Sequence, residues 1–73
     1  MYGEHIEAML ELFRENGMVA TPHEVAEEVV EILFAQGTVD RDGCDELVKQ
    51  LESQVEYLMT PAELKRAGAK AVR

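Results

Sequence analysis

Apolar residues recur along this chain at intervals of three and four, interrupted by short polar stretches that carry glycine, proline or aspartate. That period belongs to helices, and no segment sustains the alternation of a strand. It predicts helices at about 3–16, 22–36, 42–59 and 61–67. The punctuation agrees with the period. "TPHE" at 21–24 returns as "TPAE" at 60–63. In each, threonine suits the N-cap, proline suits the first helical position, and glutamate can bond back to the amide of the cap. The residues around the two tetrapeptides share nothing else, so they mark two helix starts and not an internal repeat. Gly17, Gly37 and Gly68 each follow an apolar-periodic segment, where a helix C-terminus prefers glycine. "VDRDGCDE" at 39–46 reads as a tight turn into the third helix, with Asp40 or Asp42 as its cap.

The helices differ in the width of their apolar faces. Wound at about 100° per residue, 22–36 places Val25, Ala26, Val29, Val30, Ile32, Leu33 and Phe34 on an arc of roughly 200°, more than one packing partner needs. Such a helix should lie centrally, covered on two sides. Its remaining arc is a ridge of Glu24, Glu27, Glu28 and Glu31. In 3–16, Ile6, Met9, Leu10, Leu12 and Phe13 share one face, with Glu4, Glu7, Glu11 and Glu15 opposite. The stripe of 42–59 is narrower. Cys44, Val48, Leu51, Val55 and Leu58 follow 4-3-4-3 spacing, with Leu47 and Met59 at its edges, a seam that can pack on the central helix or on another copy of the chain. Tyr57 winds outside that seam. It either packs on the last helix through Leu64 or stands exposed as interface aromatics do, and Phe34 at the edge of its arc has the same two readings.

The expected fold is therefore all-α: a small bundle of three main helices plus a short C-terminal helix, with residues 1–67 as the helical domain and 68–73 as a flexible basic tail. Seventy-three residues make one domain near the lower size limit for a chain with no disulfide, and Cys44 is the only cysteine. A core of that size rarely supplies more than about 3–5 kcal/mol net. Acidic residues occupy the start of the sequence, where a secretory signal would be basic, and no apolar run reaches spanning length, so a cytoplasmic protein with no membrane contact is expected.

Charge changes the picture more than composition does. The net charge is −8, but residues 1–59 hold 14 acids against 3 bases, while 60–73 hold one acid against 4 bases. Glu7/Glu11, Glu11/Glu15, Glu24/Glu28 and Glu27/Glu31 repel across single helix turns by a few tenths of a kcal/mol each. A favourable helix dipole offsets this only for the first-turn acids Glu4 and Glu24. So acidic a body disfavours direct nucleic-acid binding and suits a positively charged protein surface.

Candidate chemistry narrows quickly. His23 and Glu27 have helical ligand spacing, but no second histidine or nearby cysteine completes a zinc set, and His5 reads as a helix-border residue. Residues 38–49 imitate a calcium loop with Gly43 at the sixth position, yet Thr38 falls at the first and Lys49 at the twelfth, where a bidentate glutamate is required. A helix-turn-helix drawn from 22–36 and 42–59 would present acids to phosphate. Cys44 lies on the apolar seam without an activating base. No catalytic, metal or cofactor site is expected, and no cofactor is needed.

With "MYGEHIEAMLELFRENG" and "TPHEVAEEVVEILF" as its most distinctive stretches, this small, acidic, helical chain resembles the phage-encoded regulators that bind host RNA polymerase. The resemblance lies in the whole-chain profile and carries no motif from which residues can be transferred. It implies a non-enzymatic protein that engages a large subunit of the polymerase in the host cytoplasm, inhibits promoter-dependent initiation and favours antitermination. The residues themselves supply the partner-binding candidates: Glu24, Glu27, Glu28 and Glu31, with Phe34 or Tyr57 as apolar anchor. A monomer is expected ahead of a homo-oligomer. Two other readings stay open, a homo-oligomeric assembly module built on the seam and an acidic decoy that mimics DNA.

Overall fold

The computed structural model describes residues 2–71 and contains four α-helices: α1 (Gly3–Glu15), α2 (Pro22–Ala35), α3 (Arg41–Leu58) and α4 (Pro61–Ala71). Both threonine-proline starts form as reciprocal caps. The Glu24 amide donates to Thr21 Oγ1 at 3.2 Å while the Thr21 amide donates to Glu24 Oε1 at 2.8 Å. At α4 the Glu63 amide donates to Thr60 Oγ1 at 3.2 Å and the Thr60 amide to Glu63 Oε1 at 2.9 Å. Each pair satisfies two amides that the first turn would otherwise leave without acceptors.

The first two helices stop in the same way. Gly17 has φ +63° and Gly37 φ +77°, the left-handed conformation that a side chain resists. Met18 and Thr38 then donate backwards to Phe13 and Leu33 carbonyls, both at 2.9 Å, closing the ends. Of the two candidate caps for α3, Asp40 serves, accepting from the Gly43 amide at 3.0 Å. Helix α3 therefore starts at Arg41, and most of the calcium-loop imitation is wound into helix.

Gly68 departs from expectation. The helix expected to stop there continues to Ala71; an interior glycine costs roughly 1 kcal/mol, and the flanking Ala67 and Ala69 are strong helix formers. Residues 68–71 of the expected tail are thus helical, and Val72 and Arg73 lie outside the described residues.

Helix α2 is central, as its wide apolar arc requires. It packs most extensively on α3 and then on α1. Val25, Ala26, Val29, Val30 and Leu33 are buried, joined by Ile6, Met9 and Leu10 from α1 and by Leu51, Val55 and Met59 from the α3 side. Fully burying side chains of this size contributes about 1.5–3 kcal/mol each before entropy is counted. The α3 seam is spent inside the chain: Leu51 and Val55 are buried, and Val48 and Leu58 are half-buried against the core. Among the described residues no polar or charged side chain is buried, and no helix is long and apolar enough to cross a membrane.

Helix α4 is fastened at its first turn. Arg14 reaches from the end of α1 and forks onto Glu63, with Nε to Oε2 at 2.6 Å and Nη2 to Oε1 at 2.8 Å. The fork, aided by the Thr60 amide and opposed by burial, pulls the Glu63 carboxyl from an ordinary 4.5 down to about 2. Ala67 is buried beneath the helix, and Leu64 packs at the edge of the core.

Candidate protein-docking surface

The glutamates proposed as a ridge differ in what they already do. Glu24 is half-buried, with its carboxylate engaged in the Thr21 cap. Glu27 lies 3.3 Å from His23 Nε2, one helix turn away. The other ring nitrogen of His23 is 3.1 Å from Glu52 of α3, a tie between α2 and α3 across 29 residues of sequence. Winding alone puts His23 on the apolar side near Val30 and Phe34; the structure leaves it exposed, between the carboxylates of Glu27 and Glu52. With each nitrogen turned to a different carboxylate, the imidazole presents no shared ligand geometry. Among the described residues no group of three or more His, Cys, Asp or Glu side chains is placed to hold a metal ion. Glu28 and Glu31 are exposed, and Glu28 edges a groove between α1 and α2.

The two proposed aromatic anchors are not brought together. Phe34, 41% exposed, is partly covered by the Arg41 guanidinium, whose carbon is 5.9 Å from the ring centroid, within cation–π range. Tyr57 is 89% exposed on the outward side of α3, so the alternative in which it packs through Leu64 is not realised. Neither ring lines the depressions beside α2.

A groove lies between α1 and α2, larger than the two hollows near it, and periodicity alone does not reveal it. Its volume is about 710 Å³; it is floored by Met9, Leu12, Phe13 and Ile32, ends on Met18 and Val19, and is edged by Glu24, Glu27 and Glu28. It adjoins a smaller hollow of about 220 Å³ formed by His5, Ala8, Met9, Leu12, Val29 and Ile32. Leu12, assigned to the buried face by its spacing, is 50% exposed, Met18 is 56% and Ile32 42%. The cause is the side on which α1 meets α2. Ile32 and Phe34 flank the acidic ridge on opposite sides; α3 approaches the Phe34 side, α1 the Ile32 side, and α1 stops short of covering Ile32 or its own Leu12. The width of the α2 arc is the one signal of this in the sequence. The arc has two edges that spacing treats alike, and Phe34 reads as the anchor only because it is aromatic.

A second hollow of about 220 Å³ lies between the end of α1, the α1–α2 loop and α4, with Arg14, Glu63 and Arg66 at its rim and Leu10, Phe13 and Val25 among its lining. Arg14 is already committed to Glu63 there, and the volume falls below the roughly 300 Å³ at which small-molecule sites begin. The α1/α2 groove is therefore the better candidate surface.

No protein-family model matches this chain, and no curated protein or solved structure matches it significantly.

Proposed function

We propose that this chain is a non-enzymatic regulator that acts by binding a positively charged protein surface, with bacterial RNA polymerase as the partner. One observation carries the binding reading: a glutamate ridge on α2 stands beside apolar side chains, Leu12 and Ile32, that the chain leaves partly uncovered. Such a combination suits association in which charge sets encounter rate and specificity while a few apolar contacts supply most of the affinity. The choice of polymerase rests on the resemblance in overall character. Inhibition of initiation is the expected effect, with antitermination as its companion.

The test is retention of purified bacterial RNA polymerase on the immobilised protein at low and moderate salt. Reversing Glu27 and Glu28 to lysine is expected to weaken retention by about tenfold or more while the helical circular-dichroism signal is kept. Equal retention by the folded double variant would sink the reading. Retention of many unrelated DNA-binding proteins with steep salt dependence would instead mark a DNA-mimicking decoy.

A further inference from the structure

We infer that the α1/α2 groove is a seat for an amphipathic protein helix that carries lysine or arginine along one edge. The inference rests on the binding reading of this face but not on polymerase as the partner.

Shape, length and charge converge on that occupant. The floor is apolar and elongated, with Met9, Leu12 and Ile32 shared between the groove and its adjoining hollow. Helix-in-groove recognition uses such a floor, with anchors from the incoming helix at i, i+3 or i+4, and i+7. Helix α1, which forms one wall, has 13 residues. At 1.5 Å per residue it offers a track about 20 Å long, enough for a partner helix of about four turns. The two walls differ in charge. Along α2 the edge is Glu24, Glu27 and Glu28, whereas along α1 and its C-cap it is His5, Ala8 and Asn16, which bring no carboxylate. A helix with cations on one side of its apolar stripe is matched in one orientation, while its charge-reversed counterpart meets like charges at the α2 edge. A nucleic acid would meet the same repulsion, and a second copy of this chain carries its run of cations on α4, whose Leu64 and Ala67 are already packed against its own core.

The probe is a fluorescent peptide of about 14 residues, with leucines at i, i+4, i+7 and i+11 and lysines confined to one flank. It is compared with a scramble of the same composition and with a version carrying glutamate for lysine. By anisotropy, the basic amphipathic peptide should bind at least about tenfold tighter than either control. Leu12→Glu and Ile32→Glu, both at partly exposed positions, should each weaken it by about tenfold, whereas Glu46→Lys on α3 should not. Amide shifts on binding should centre on Leu12, Val29 and Ile32. Equal binding of the scramble, shifts centred on α3, or protection of the groove by a concentration-dependent homodimer would each overturn the inference. Loss of peptide binding with polymerase retention intact would remove the groove and leave the ridge; peptide binding without polymerase retention would remove the polymerase and leave the groove.

Discussion

Glu63 carries two duties with one carboxylate, and its titration makes them measurable. Its folded pKa is depressed, to about 2 from 4.5, so the unfolded chain takes up the proton first. Its stabilising contribution is complete above about pH 4.5 and disappears as the pH falls through about 2. Thermal unfolding of the native chain should therefore lose stability across that window, and Glu63→Gln should show a smaller loss there while starting from a lower midpoint at neutral pH. If both chains fell in parallel, the fork would contribute nothing. Thr21→Ala and Thr60→Ala each remove a cap hydroxyl and should cost about 0.5–2 kcal/mol in urea unfolding. The surface pairs of His23 are a weaker matter. Exposed ion pairs contribute about 0–1 kcal/mol, so His23→Ala should leave stability nearly unchanged.

At the scale of the helix, glycines separate by backbone conformation. Gly68 is exposed within α4, has no positive φ, and nothing lies within 4 Å of an added Cβ. Gly68→Ala should stabilise the protein by about 0.5–1 kcal/mol. Gly37→Ala, at φ +77°, should destabilise it by more than that amount although its Cβ also meets open space. Urea titration of the two variants gives opposite signs if α4 runs through Gly68 and the same sign if it stops there. This contrast also explains how much of each helix is legible in the sequence. The starts at Thr21 and Thr60 can be read because a cap is written within four consecutive residues, whereas at α3 the sequence offers Asp40 and Asp42 alike and only the structure selects Asp40. The end of α4 cannot be read, because glycine marks a stop only when its φ turns positive, and that depends on the neighbouring residues; here Gly68 keeps a helical φ between Ala67 and Ala69.

At the scale of the whole molecule, the core is small and, among the described residues, wholly apolar, so its tolerance is low. Leu33→Ala removes a side chain only 1% exposed between α2 and its neighbours and should cost about 2–5 kcal/mol. Since a core of this size rarely supplies more than about 3–5 kcal/mol, that variant should be substantially unfolded at 25 °C by circular dichroism. The bundle and the acidic ridge can be read from periodicity because both are properties of single helices. The groove cannot, since it exists only where α1 meets one flank of α2, and a helical wheel treats the Ile32 and Phe34 flanks alike. His23 shows the same limit, with its partner Glu52 lying on another helix. The double duty of Glu63 adds a kinetic consequence. Unwinding the first turn of α4 releases the Arg14 fork, and breaking the fork loosens the cap, so winding and docking of α4 form one cooperative step. In native-state hydrogen exchange the amides of Thr60, Glu63 and Leu64 should become accessible together, in an opening of lower energy than that of α2, and Arg14→Ala should speed all three by a common factor.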